Sequence, residues 1–126
     1  VTFKTVISQI SEVKKGDSIG YSRKYKAEKD TRIATIPVGY ADGIPRLIGN
    51  KNGFVSIHKQ KVPIVGNICM DMLMVDLEKL PAKDGDKVII FNENPSLEEF
   101  SKYCKTIPYE VLTSISRRVK RIYIKN

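Results

Sequence analysis

Twelve residues, GNICMDMLMVDL (66–77), hold three methionines, a cysteine and two aspartates. A strand built only to pack would fill those places with Val and Ile. Of these residues Asp71 reads as a hydrogen-bond acceptor that fixes a turn of chain. Met72 and Met74 read as flexible gap-fillers in a core or an interface. Cys69 reads as a small buried residue, since a reactive thiol needs a lowered pKa. Cys69 and Cys104 stand 35 apart with no CxxC spacing, and His58 is the single histidine, so no metal cluster is expected.

Twenty-two Lys and Arg against 14 Asp and Glu leave a formal charge of +8. Most of the excess is scattered singly between apolar positions. The dense cluster is SRRVKR (116–121), where Val119 interrupts the charges. It reads as a solvated strand face or a surface meeting an acidic neighbour. No RNP-like aromatic pair, GxxG clamp or helix-turn-helix spacing accompanies it, so no nucleic-acid partner is expected. No apolar run approaches the roughly 18 residues that a membrane span needs. The cysteine usage fits a reduced, cytoplasmic setting, with no membrane partner. The chain opens in mid-strand pattern without an initiator Met, as a piece of something longer would.

Strand signals dominate the elements that must carry these residues. Phe3, Val6, Ile7 and Ile10 mix with polar residues up to Gly16-Asp17, and TRIATIPVGY (31–40) is rich in β-branched residues. GFVSIH (53–58) and KVPIVG (61–66) are spaced as a hairpin across Lys59-Gln60. Pro37 and Pro63 lack an N–H and belong at an edge, a strand start or a bulge. KVIIF (87–91) reads as a short buried strand. Helical spacing appears in NPSLEEFSKYCKT (94–106), about two and a half turns opened by a Ser96–Glu99 capping box. Pro108 opens a second short helix, PYEVLTSI, and RIYIK closes the chain as a strand. One domain over 1–126 is expected: mostly β, a closed or partly open barrel with one or two short helices near 96–115.

Four segments go further: GDSIGYSRKY (16–25), TIPVGYADGIPR (35–46), VPIVGNICMDM (62–72) and TIPYEVLTSISRRVKRIY (106–123). In order, spacing and content they resemble the C-terminal domain of bacterial alanine racemase, a fold-type III enzyme that depends on pyridoxal 5'-phosphate. The likeness covers essentially the whole chain. It implies a missing N-terminal α/β barrel whose lysine holds the cofactor, and a head-to-tail homodimer in which this domain completes the second subunit's site. No lysine here lies in the family's cofactor-lysine motif, so the fragment alone is expected to be inactive.

The resemblance assigns roles residue by residue. Racemising alanine means removing the Cα proton from one face and returning it on the other. Tyr21 is implied to be one of the two bases and the cofactor lysine the other. A phenol of pKa near 10 is ionised in about one molecule in a thousand at pH 7, a handicap of roughly 4 kcal/mol, so something must lower it. Arg23 is a candidate, and a group of the missing barrel is another. Met70 is implied to offer its backbone N–H to the substrate carboxylate, which asks for a strand whose ladder is broken locally. Tyr109 is implied to hold the cofactor phosphate, although Pro108 stands where relatives usually have Asn. Tyr40 and Arg46 are implied to line the entrance, where Asn67 replaces an Arg common in relatives. Asp42-Gly43 reads equally well as a plain turn.

The expected activity is interconversion of L- and D-alanine for peptidoglycan. The alternatives are a related racemase acting on serine, a racemase domain of a fusion protein, and a basic OB-like nucleic-acid-binding module.

Overall fold

The chain is described by a computed structural model over residues 1–19 and 25–122. The described strands are β1 (Phe3–Val6), β2 (Gln9–Val13), β3 (Ser18–Ile19), β4 (Tyr25–Lys26), β5 (Thr31–Ile36), β6 (Phe54–Ile57), β7 (Gln60–Val65), β8 (Leu73–Asp76) and β9 (Lys87–Phe91). The helices are α1 (Leu97–Tyr103) and α2 (Pro108–Ser114). Seven strands form one antiparallel sheet in the order β1-β9-β6-β7-β8-β5-β2, and β3 pairs with β4 separately.

That order dictates the shape. β1 and β2 are consecutive in sequence yet lie at opposite ends of the sheet, so the sheet has to curl until its two ends meet. At the corner, Ile7 N–H donates to Asp86 O at 2.9 Å on one side and Ser8 N–H to Thr35 O at 3.0 Å on the other. A strand that passes from one end of a sheet to the other in this way makes a barrel corner. The β-branched residues fill the inside: Ile36, Val55, Ile64, Val75, Val88 and Ile90 are all buried. α1 caps one end through Phe100, whose ring lies 5.4 Å from Phe91, itself 5.8 Å from Phe3. Ser96 Oγ accepts from the Glu99 N–H at 3.0 Å and starts that helix, while the Glu99 carboxylate pairs with Tyr103 and Lys61, so one half of the expected capping box forms. The helix is seven residues long, shorter than its periodicity suggests, because Lys105 turns to φ 55° just beyond its end.

The β6–β7 hairpin forms one residue earlier than its spacing indicates. His58 and Lys59 take φ 52° and 63°, the signs a tight primed turn needs. Pro63 sits in a strand with neighbours on both sides, not at an edge. It is tolerated because pairing there passes from β6 (Phe54↔Pro63) to β8 (Ile64↔Val75). The expected closing strand is not found at Arg121 and Ile122, and residues 123–126 lie outside the described residues.

β3 and β4 lie on the outer face over a second small core of Ile19, Ala27, Ile33 and Val65, into which the half-buried Met74 packs. Asp76, buried at the end of β8, anchors this layer. It accepts from Thr31 Oγ1 at 2.6 Å, from the Tyr25 hydroxyl at 3.2 Å and from the Glu78 N–H at 3.0 Å. Burial and then the Asp76 carboxylate push the Tyr25 phenol up to about 12.

Candidate functional site

Residues 66–72 are not a broken strand but the loop that joins β7 to β8. Gly66 turns the chain out of β7 at φ 70°, and Cys69 N–H donates to Met72 O at 2.9 Å to close the loop on itself. The methionines sit there because the loop reaches the surface: Met70 is 52% exposed and Met72 is exposed too. Cys69 is half-buried, not buried, with its thiol pointing to Asn67 O at 3.9 Å. The Asn67 side chain accepts from Asn50 Nδ2 at 2.9 Å.

A second segment locks onto this loop. After β5, Pro37 ends the ladder and Tyr40–Asp42 forms one 3₁₀ turn closed by Gly43 at φ 105°. Tyr40 N–H donates to Cys69 O and Ala41 N–H to Met70 O, each at 3.0 Å. Two successive carbonyls of the loop therefore point at the turn. In a trans peptide the C=O and N–H point in opposite directions, so the N–H groups of Met70 and Asp71 both point away from it. Among the described residues neither donates a hydrogen bond. Adjacent amides aimed the same way form a concavity suited to an anion such as a carboxylate.

On the other side of the turn, Tyr40 meets Arg46. Pro45 starts another 3₁₀ turn, Arg46–Ile48. The Arg46 guanidinium lies 5.8 Å from the centre of the Tyr40 ring. The two residues are exposed and line a cleft of about 440 Å³ together with Glu110, Val111 and Ser114 of α2. Cys104 lines the same cleft as a protonated, apolar group, because burial pushes its thiol up to about 11. Tyr109 is the second residue of α2 after Pro108 and is 74% exposed; among the described residues its hydroxyl makes no hydrogen bond.

Tyr21 and Arg23 lie outside the described residues. The residues that bracket them, Ile19 and Tyr25, lie over Gly66: a Cβ there would stand 3.8 Å from Ile19 O and 4.0 Å from Tyr25 Cβ. Ile19 and Tyr25 thus stand at the root of the Met70 loop.

Sequence reasoning missed Arg118. Its Nε donates to Asp42 Oδ1 at 2.7 Å and its terminal nitrogen to Asp71 Oδ1 at 2.6 Å, so one guanidinium ties the turn to the loop. Hydrogen bonds to Asp71 and then to Asp42 raise its pKa further. Asp42, 6% exposed, also accepts from the Gly39 N–H at 2.9 Å, and its carbonyl from the Ser116 N–H at 3.1 Å. The stretch is solvated as expected, its charged residues being exposed, but it runs as an irregular strap and not as a strand. Arg121 belongs to it too, donating to the carbonyls of Ile115, Ser116 and Val119. Asp42 is more than a turn residue, and Asp71 is the acceptor expected of it.

The family described as "Alanine racemase, C-terminal domain" matches residues 1–123. Alanine racemase of Clostridium tetani is 43% identical over all of this chain, which covers 34% of that protein. The crystal structure of alanine racemase from Bartonella henselae with covalently bound pyridoxal phosphate superposes with a TM-score of 0.92 at 39% identity, over 98% of this chain and 34% of that one. That of Bacillus anthracis with bound L-Ala-P gives 0.91 at 36% identity, over 99% and 33%. The chain spans about a third of the length of these relatives. A mostly β curled sheet with two short helices, matched along its whole length by this family, belongs to the alanine racemase C-terminal domain family.

Proposed function

We propose that this domain forms half of the active site of a pyridoxal 5'-phosphate-dependent alanine racemase that interconverts L- and D-alanine for peptidoglycan synthesis in the cytoplasm. The other half, an N-terminal α/β barrel with the cofactor lysine, belongs to the rest of the protein, and the domain serves the second subunit of a head-to-tail homodimer. The observation that carries this reading is the pair of amides at Met70 and Asp71, which donate to no group among the described residues.

When bound, the cofactor supplies an electron sink for the charge left on Cα. The rest falls to groups of the protein. The Met70 N–H, with that of Asp71 beside it, takes the substrate carboxylate and so fixes which face of Cα turns toward Tyr21. Tyr21 moves a proton at its phenolic oxygen on that face, and the lysine of the barrel serves the other. Tyr109 suits the cofactor phosphate: it is exposed at the start of α2, and its hydroxyl bonds no group among the described residues. Tyr40 and Arg46 narrow the approach, stacked on each other so that only small, carboxylate-bearing substrates pass.

Alone, the chain has neither the cofactor lysine nor the barrel and is inactive. The test is to express the barrel half and this domain separately and joined, add cofactor, and assay conversion of L- to D-alanine. Activity is expected only when both halves are present. Conversion by this domain alone, or by the barrel alone at the full rate, overturns the proposal.

A further inference from the structure

Asp71 raises a difficulty for a carboxylate site. Its amide is one of the two aimed into the anion concavity, yet its own side chain carries a negative charge one residue from Met70 and is about half exposed. An incoming carboxylate meets that charge at short range, in a surface setting where like charges repel. Arg118 removes the difficulty. Its guanidinium is the only group among the described residues that hydrogen-bonds the Asp71 carboxylate, and the same guanidinium bonds Asp42. Planar, permanently charged and forked, it can serve two carboxylates at once, which a lysine ammonium does poorly.

We infer that Arg118 is a positioning residue for carboxylate binding, which turns the Asp71 side chain away from the Met70–Asp71 amide pair and cancels its charge. The inference rests on the carboxylate role proposed for those amides. The two ion pairs then do different work. The bond to Asp42, almost fully buried, secures the fold, because Asp42 also holds the Gly39 amide. The bond to Asp71, at the surface, contributes little to stability and acts on the ligand.

This division makes the inference testable in the full-length protein, with acetate as the carboxylate probe competing against alanine. Arg118→Gln should weaken acetate inhibition and raise KM for alanine by about tenfold, the effect of one uncompensated nearby charge, with a smaller change in kcat. Arg118→Gln combined with Asp71→Asn should restore acetate affinity to within about twofold of the unaltered protein, while thermal stability stays low because Asp42 is still unpaired. Arg118→Lys should recover only part of either. If the double variant binds acetate as poorly as Arg118→Gln alone, Arg118 acts only through structure and the inference falls. It falls equally if acetate competition is unmoved by Arg118→Gln. If acetate does not compete with alanine in the unaltered protein, it is the carboxylate role of the amides that fails.

Discussion

The Tyr40 N–H donates to the Cys69 carbonyl at 3.0 Å, so the 3₁₀ turn and the Met70 loop meet through bare backbone. The approach is possible because the residue before Tyr40 is glycine. A Cβ on Gly39 would stand 2.2 Å from Cys69 O and 2.5 Å from Met70 O, with no flexible side chain to yield. Gly39→Ala should therefore push the two segments apart, costing about 2–4 kcal/mol of stability and the aim of the Met70 amide. Thermal unfolding together with KM for alanine checks this: both should worsen, although the φ of −149° at Gly39 suits any residue.

Asp76→Ala leaves the Thr31 hydroxyl, the Tyr25 hydroxyl and the Glu78 amide without their acceptor. Loss of a buried acceptor with several partners should cost about 2–3 kcal/mol, read from denaturant midpoints. It should also loosen the β3–β4 layer that brackets Tyr21, so hydrogen exchange at Ile19 and Tyr25 should quicken more than in β9.

The Tyr25 phenol should leave a signature at alkaline pH. Folding favours its protonated form, so this stability is full below the ordinary phenol pKa of about 10 and is lost as pH rises toward about 12. Tyr103, hydrogen-bonded to Glu99 and also shifted upward by burial, contributes in the same direction. Unfolding midpoints measured from pH 9 to 12 should fall less steeply in a Tyr25→Phe, Tyr103→Phe double variant than in the unaltered protein.

What is legible in the sequence is local. KVIIF forms β9 residue for residue, and the Ser96–Glu99 cap and Pro108 each start a helix where expected. Each depends on neighbours a few positions apart. The apolar content of the Met70 segment matches a strand, while the bonds that make it a loop reach back to Tyr40 and Ala41. Arg118 is invisible for the same reason: its partners lie 76 and 47 positions away. Only the order of chain segments around the curled sheet brings them together, and no periodicity encodes that. Tyr40, Arg46, Met70 and Tyr109 are singled out by resemblance alone. The structure puts Arg46 beside the Tyr40 ring, docks the Tyr40 turn on the Met70 loop through backbone, and lines the Tyr40–Arg46 cleft with residues of the helix that carries Tyr109.

Tyr109→Phe keeps the ring on α2 and removes the hydroxyl. In the full-length protein it should release cofactor about tenfold more readily, the worth of one hydrogen bond to a charged group, with little change in proton transfer once cofactor is saturating. Equilibrium dialysis against increasing cofactor separates these effects, and unaltered retention would count against the phosphate contact.

The most direct measurement is α-proton exchange in heavy water, followed separately from L-alanine and from D-alanine, in full-length protein carrying Tyr21→Phe. With Tyr21 as the base on one face, racemisation should fall by about 10²- to 10⁴-fold, exchange from one enantiomer should collapse, and exchange from the other should continue through the lysine. Equal loss from both enantiomers, or racemisation that survives the substitution, would contradict a proton-carrying role for this domain.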